Sequence, residues 1–279
     1  MAVLNFDEPP KVYGNGALDA VAAGLIALGE ELKANVVAKK EAEVANIAKG
    51  NFIAKMSHEL RTPLTTIVCS AELLLDTPLT DNQERLTSIM ARSGALLLRI
   101  IDDILLFSNS EQDIIPIVPS PVNLETAIMG SVQNCTVAAR SKGLELSFEY
   151  NGSPNLLVSC DELRLQQVLT SLLSNAIKFT EDGQILVKAS TQSWGADEVL
   201  TLTIQDTGIG MDEETIGRAF EPFFSRDSSI RRKFGGAGLG MTISRAIIEA
   251  MGGKISIQSK VGLGTVVSLT LTWPRVSSQ

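Results

Sequence analysis

Histidine is nearly absent from this sequence: one residue, His58, in a chain of 279. Cysteine is scarce too. Cys69, Cys135 and Cys160 lie far apart, with no Cys-x-x-Cys pair or other metal-ligand spacing, so they read as buried thiols in a reducing compartment rather than as a metal site or disulfide framework. No run reaches the roughly 20 apolar residues that a membrane span needs. The most apolar early stretch, residues 17–29, is interrupted by Asp19 and lacks the basic flank of a signal peptide. A soluble, cytoplasmic chain without membrane contact of its own is expected, one that reads as the inner part of a larger protein. Basic runs are missing as well, and the net charge is −8. That argues against nucleic-acid binding, which is driven by cations neutralising phosphates. There is neither a GxxxxGK[ST] phosphate loop nor a GxGxxG after a first strand. What is present is ordinary for a globular protein: 44% hydrophobic and 20% charged residues with 10 prolines, enough for one large domain or two smaller ones.

Two regimes divide the chain. From about Ala17 to Ser110 the sequence is helical and nearly free of glycine and proline. Val21, Leu25, Leu28, Leu32 and Asn35 follow the 4-3-4-3 spacing of a coiled coil. The register weakens at Lys39, Ala42, Asn46 and Lys49, then recovers at Ile53, Met56, Leu60, Pro63 and Ile67. Over the weak stretch a shifted seam turns Val37, Val44 and Ile47 inward. Two competing packings are what a signalling switch needs; a simple tether is the other reading. Pro63 lacks an N–H and crowds the preceding turn, which predicts a kink. The helix should end near Asp76-Thr77-Pro78. Thr80-Asp81-Asn82-Gln83 has the form of a capping box, opening a second helix through Ile89, Leu96, Ile100, Asp103 and Phe107. The apolar face of such a hairpin is too wide to bury alone, and two copies would close a four-helix bundle. After the proline-punctuated "EQDIIPIVPSPVN", helices at about 124–141, 161–179 and 239–252 alternate with strand-like runs such as "LELSFEY", "QILVKAS", "EVLTLTIQD", "KISIQS" and "TVVSLTLTW". This predicts a two-layer α/β sandwich.

With Ile53 and Met56 as core positions, His58 takes the outermost place of the heptad, about 200° around the helix from both Met56 and Leu60. That weakens the ordinary explanation of a lone histidine as a packed core residue, and a solvated surface histidine stays open beside the reactive one. Glu59 follows it, and Arg61 and Thr62 share its face. A carboxylate can accept the proton of one ring nitrogen and leave the other nitrogen's lone pair free for attack. In the second half, "QDTGIGM" places Asp206 at a strand end, followed by Gly208 and Gly210. A carboxylate there can accept from an exocyclic amine such as that of adenine, and the glycines admit a ligand close to the backbone. "RRKFGGAGLGMTISRAI" sets Gly236, Gly238 and Gly240 at the opening of a helix, with Lys233 nearby, an arrangement that favours an anion. Each cluster alone reads equally well as a hairpin turn. In "DELRLQQVLTSLLSNAIKFT", Asn175 and Lys178 lie one turn apart beside an apolar face. An amide oxygen binds Mg²⁺ and a lysine binds phosphate, although the pair alone is also an ordinary polar flank.

Taken in order, these stretches resemble the catalytic core of sensor histidine kinases with its Bergerat-type ATP-binding domain. "SHELRTPL" is similar to the H box, "NAIKFT" to the N box, "DTGIG" and "GGAGLGM" to the two glycine boxes, "FEPFF" to the F box, and "GLGT" to the last nucleotide-binding element. The resemblance spans about residues 48–274. It implies that His58 is the phosphoacceptor with Glu59 beside it, that Asp206 anchors adenine, that Asn175 holds Mg²⁺, and that Lys178 and Lys233 contact phosphate. Phe179, Gly208, Gly210, Phe220, Gly236, Gly238, Leu239, Gly240 and Thr265 complete the implied ATP site. Thr62 takes the position that the family uses to dephosphorylate its partner. Residues 15–35 look like the second helix of a HAMP-type relay. Two positions depart from the pattern. Ser171 stands where many members carry a further asparagine, and Ala237 replaces a hydroxyl residue between the glycines.

The expected architecture is therefore α+β and multidomain: a helical hairpin forming a dimeric four-helix bundle, followed by a two-layer α/β sandwich ATPase. Residues 1–47 form an N-terminal signalling helix, 48–112 the dimerisation and phosphotransfer hairpin, 113–122 a linker, and 123–276 the ATP-binding domain. The expected function is an ATP- and Mg²⁺-dependent protein histidine kinase, homodimeric, passing phosphate to an aspartate on the receiver domain of a separate response regulator. An upstream sensor domain is expected. The rival is a degenerate core that holds nucleotide or partner without phosphorylating anything.

Overall fold

The computed structural model describes residues 16–110, 115–224 and 238–276 and, for much of 16–54, the backbone alone. The chain divides into two compact units, Met1–Lys55 and Met56–Gln279. The described part of the first is the N-terminal stretch of a long helix, α1 (Gly16–Leu75). No helix among the described residues is long and apolar enough to cross a membrane.

In the second unit α1 passes Pro63, where a kink is expected, and continues as helix to Leu75. Threonine hydroxyls bond to carbonyls around it: Thr62 Oγ1 donates to the His58 carbonyl at 3.2 Å and Thr66 Oγ1 to that of Thr62 at 3.1 Å. The second helix, α2 (Asp81–Ser110), opens at the expected box, where Gln83 Oε1 accepts from the Thr80 N–H and hydroxyl at 3.0 and 2.9 Å. The two helices run antiparallel. Arg61 pairs with Asp102 at 2.6 Å, and further along Gly94 of α2 lies against Val68 and Leu64 of α1. Close approach explains Gly94, where a Cβ would stand 2.4 Å from Val68 Cγ2. Buried Ser57, Val68 and Ala71 on α1 and Thr87 and Ile101 on α2 make this seam. Large residues of the sequence periodicity lie elsewhere: Met56, Leu60 and Ile67 on α1 and Ile89 and Leu96 on α2 are exposed in the single chain, and so are Leu86, Met90 and Leu97 outside that pattern.

The remainder is a helix layer on a mixed sheet. Strand β1 (Ser120–Asn123) pairs antiparallel with β3 (Leu157–Cys160) as a small ribbon. The main sheet has the order β2-β4-β5-β7-β6, formed by β2 (Glu145–Asn151), β4 (Gln184–Trp194), β5 (Asp197–Asp206), β7 (Gly264–Pro274) and β6 (Lys254–Lys260). Only the β2–β4 pair is parallel. Helices α3 (Leu124–Ser141), α4 (Glu162–Phe179) and α6 (Gly240–Ala250) cover one face, and the short α5 (Glu213–Arg218) precedes the FEPFF run. Asn123, Asp161 and Asp212 accept from the third backbone N–H beyond them at 3.0, 3.0 and 2.9 Å and so start α3, α4 and α5. The core joins Ile128, Leu165, Leu169 and Leu173 of the helices to Ile185, Leu200, Leu202 and Leu269 of the sheet. Leu106, near the end of α2, joins this core, and Phe107 meets Phe223 edge-on at 5.9 Å. Cys135 and Cys160 are buried, and burial pushes the Cys160 thiol up to about 12; Cys69 is exposed.

The expected two-layer sandwich is thus present, with three additions. β1, β3 and α5 have no counterpart in the sequence pattern, because strands of four residues and a helix of six carry too little periodicity to register. Ser120–Val122, assigned to a linker, already forms most of β1.

Candidate functional site

Strand β5 alternates strictly along its last nine positions, and Glu198, Leu200, Leu202, Ile204 and Asp206 all point into the core. Three are aliphatic, as a buried phase requires, and the two ends are carboxylates. Burying a carboxylate is expensive unless it is paired. Glu198 is paired: Arg275 donates from Nε at 2.7 Å and reaches the same oxygen with Nη2 at 2.5 Å. Asp206 has no such cation among the described residues. Its Oδ1 accepts the Gly208 N–H at 2.9 Å and the Thr265 N–H at 3.2 Å, and among the described residues no donor is paired with Oδ2. Burial raises this carboxyl above the usual carboxylate range, and the two backbone bonds pull it partly back. A carboxylate kept in such a place without a counter-charge is built for a ligand's donor.

The loop after β5 is shaped by close backbone approaches. A Cβ on Gly208 would lie 2.5 Å from the Phe179 carbonyl oxygen, and one on Gly210 (φ +65°) 2.0 Å from that of Lys260. Gly264 (φ +94°) starts β7 within 1.9 Å of the Asp206 carbonyl oxygen by the same measure. Ser259 ties this corner together. Its hydroxyl accepts from the Met211 N–H at 2.8 Å, donates to the Gly264 carbonyl at 2.8 Å and lies 2.9 Å from Thr265 Oγ1.

Helix α4 links this loop to the second glycine cluster. At its C-terminus the Phe179 carbonyl accepts the Ile209 N–H at 3.1 Å. Two turns earlier, buried Ser171 lies against Gly240, where a Cβ would come within 2.9 Å of Ser171 Oγ. Asn175 sits between these contacts on the same flank, half-buried, and Lys178 follows one turn on. The Lys178 ammonium stands 5.1 Å over the Phe179 ring, and burial lowers its pKa. Unlike α3, α4 and α5, α6 begins without a side-chain cap at Leu239, so its N-cap residue leaves the first N–H groups uncapped. Leu239 itself is buried, and Gly238 (φ +73°) touches the Phe223–Phe224 backbone. Phe220 is fixed to α6 from both sides: its carbonyl accepts from Thr242 Oγ1 at 3.0 Å, and Arg245 lies 5.0 Å from its ring.

Asn175, Lys178, Phe179, Asp206, Gly208, Gly210, Gly240 and Thr265 are thus brought together around α4 and the β5–β7 corner, with Gly238, Leu239 and Phe220 at the start of α6. Lys233, Gly236 and Ala237 lie outside the described residues. The open hollow of about 570 Å³ beside α5 is a different place, lined by Asp212, Glu214 and Glu221 together with Arg218 and Pro222–Phe224. Three carboxylates make it unsuited to a polyphosphate.

His58, Glu59 and Thr62 stand on the hairpin instead, and all three are exposed. At 100° per residue, His58 lies about 110° from the seam toward α2 and about 180° from the outward stripe of Met56, Leu60 and Ile67. The histidine therefore occupies a face that neither apolar surface needs. Sequence reasoning missed Ser259, Gly264 and the Arg275–Glu198 pair. Gly264 had a visible signal in the paired glycines of "GLGT"; the others depend on contacts between distant strands.

Two family models match the chain: His Kinase A (phospho-acceptor) domain over residues 48–113, and Histidine kinase-, DNA gyrase B-, and HSP90-like ATPase over residues 160–275. Among curated proteins, the autoinducer 2 sensor kinase/phosphatase LuxQ of Vibrio harveyi is 36% identical, the match covering 91% of this chain and 31% of that protein. Sensor histidine kinase GacS of Pseudomonas protegens is 40% identical over 86% of this chain and 26% of its own length. Signal transduction histidine-protein kinase BarA of Escherichia coli is 38% identical over 82% and 25%. The chain thus spans about a third of the length of these relatives, or less. Among solved structures, full-length ShkA in complex with AMPPNP superposes with a TM-score of 0.66 at 30% identity, over 81% of this chain and 46% of that one. The Acinetobacter baumannii histidine kinase AdeS shares the fold, with a TM-score of 0.51 at 20% identity over 77% of this chain and 96% of that one.

Proposed function

Because the chain belongs to the sensor histidine kinases, carrying their phosphoacceptor and ATPase domains in order, we propose that it uses ATP to phosphorylate itself on His58 and passes that phosphoryl group to an aspartate on a response regulator. The observation that carries this reading is the contrast between the two buried carboxylates of β5: Glu198 has its arginine, whereas Asp206 keeps an oxygen for the adenine amine. A glycine-lined corner and the start of α6, which Leu239 leaves uncapped, then receive the phosphates. Asn175 is the residue that would hold Mg²⁺, together with the nucleotide's own phosphates; the ion would neutralise charge on the transferring group. The donor set fits, since Mg²⁺ takes oxygen ligands and needs no all-protein cage. No cluster of three or more His, Cys, Asp or Glu suited to a metal occurs among the described residues.

In the transfer, a ring nitrogen of His58 forms the bond to the γ-phosphorus as the bond to the bridging oxygen breaks, and ADP leaves. Glu59 takes the proton from the other ring nitrogen. Lys178, and Lys233 by resemblance, oppose the charge on the phosphates. Thr62 serves the reverse reaction. Its hydroxyl proton is held by the His58 carbonyl, which leaves its lone pairs to orient a water toward an aspartyl phosphate on the regulator. The similarity to LuxQ, a sensor kinase/phosphatase, supports that second activity.

The domains we assign are the signalling helix 1–47, the phosphotransfer hairpin 48–112, a linker from 113 that ends at β1, and the ATPase to residue 276. A homodimer is supported by the exposed stripe on both helices, from Met56, Leu60 and Ile67 to Leu86, Ile89, Met90 and Leu97, which a second copy would bury. We place the chain in the cytoplasm, where ATP is available. The test is incubation with γ-labelled ATP. We expect an acid-labile, base-stable label that disappears in His58→Gln while nucleotide affinity is retained. A label of that kind persisting in the variant would refute the assignment.

A further inference from the structure

Lys142 is the C-cap residue of α3, yet its side chain serves another helix. The ammonium donates to the carbonyls of Ile177 at 2.7 Å, Lys178 at 3.1 Å and Thr180 at 3.2 Å. These belong to the end of α4, where carbonyls run out of helical N–H partners and the helix dipole is negative. Three N–H donors meet three such oxygens. The same turn is held from other sides by the Thr180 N–H and hydroxyl on the Ala176 carbonyl, at 3.1 and 2.7 Å, and by the Ile209 N–H on the Phe179 carbonyl. It carries Lys178, and Asn175 precedes it by less than a turn.

We infer that Lys142 is a positioning residue for nucleotide binding: by clamping the last turn of α4 from outside the site, it sets Asn175 and Lys178 against the phosphate end of ATP. This inference rests on the nucleotide reading above. Asp206 belongs to β5, where the sheet ladder holds it on both sides, so the adenine end depends on the clamp less than Asn175 and Lys178 do.

The experiment measures the affinity of the full chain for Mg·ATP and for adenosine, well below the melting temperature, in wild type, Lys142→Met, Lys142→Arg and Asp206→Asn. Lys142→Met should weaken Mg·ATP about tenfold and adenosine less than twofold, and Lys142→Arg, which restores a cation with several donors, should recover part of the loss. Equal losses for ATP and adenosine, or unchanged Mg·ATP affinity with a lowered melting temperature, would make Lys142 a helix cap alone and overturn the inference. Asp206→Asn must weaken both ligands. If it weakens neither, the nucleotide reading itself fails, and the two failures are therefore told apart.

Discussion

Replacing Asp206 by Asn separates what the residue does for the fold from what it does for a ligand. The side chain keeps its shape and one oxygen, so the bonds from Gly208 and Thr265 at 2.9 and 3.2 Å can persist on that oxygen. The amide nitrogen must then replace Oδ2 and present a donor where the adenine amine also donates. Losing a charge-assisted bond and leaving a buried donor unmatched costs about 2–4 kcal/mol of binding, a loss of affinity of roughly 30- to 800-fold. Stability should move the other way. Burial is the first cause of the shift in Asp206 and raises its pKa above 3.8, against the two backbone bonds. The folded state therefore holds this proton more tightly than the unfolded one. Above the folded pKa the ionised group opposes folding, and the penalty fades as pH falls toward and below the unfolded value. Ligand-free Asp206→Asn should accordingly melt no lower than wild type at pH 7, and any advantage should vanish in acid. In wild type, ATP affinity should begin to fall at a pH above 3.8. Calorimetric titration with Mg·ATP and thermal melting of the ligand-free chain measure the two effects. Unchanged affinity would mean the adenine pocket is misplaced, and a clear drop in melting temperature at neutral pH would make Asp206 a structural residue.

Gly264→Ala combines a positive φ with a Cβ placed 1.9 Å from a backbone oxygen of Asp206. It should cost about 1–3 kcal/mol from backbone strain alone and remove nucleotide binding with it; a normal melting curve and normal affinity would refute the packing described. Arg275→Met leaves Glu198, 2% exposed, without its partner, and chemical denaturation should show a loss near the low end of roughly 3–5 kcal/mol, since the arginine is itself partly solvated. Adding Glu198→Gln should recover much of that loss, and no recovery would mean that the pair is not coupled. Thr62→Ala should autophosphorylate normally and dephosphorylate the regulator more slowly, and equal phosphatase rates would reduce Thr62 to a hydroxyl that satisfies the His58 carbonyl ahead of Pro63.

The strands and helices of the ATPase were readable because β4 and β5 alternate cleanly and α4 and α6 each carry one apolar face. The hairpin was read less completely. Its heptad pattern is carried by Met56, Leu60, Ile67, Ile89 and Leu96, which face outward, while the seam inside one chain is made by Ser57, Ala71, Thr87 and Gly94. Small and hydroxyl residues do not register as a hydrophobic stripe, although they let two helices approach most closely. The site followed a similar rule. Asp206 was visible because it closes a strand directly ahead of Gly208 and Gly210, whereas Lys142, Ser259 and Arg275 act across gaps of about 35 residues or more and leave no local pattern. Tertiary proximity, not propensity, places them.

The arrangement of α1 follows from how many demands one helix must meet. Three stripes cannot overlap on a cylinder with 3.6 residues per turn, so each is narrow. The seam uses positions 57, 64, 68, 71 and 75, and small residues there bring α2 near. The outward stripe uses 56, 60, 63 and 67, with Pro63 among its exposed members. His58 and Thr62 take the third face, one turn apart, where a partner can reach them from solvent. Such a division explains why the proline is tolerated. It needs no side-chain partner on the seam, and the threonine hydroxyls at 62 and 66 bond to backbone carbonyls around the position where its missing N–H leaves the ladder incomplete. It also explains why a second helix pair is required. A face carrying Met56, Leu60 and Ile67 is stable in water only when covered, and covering it with an identical hairpin leaves both histidines exposed, because His58 lies on nearly the opposite side of α1.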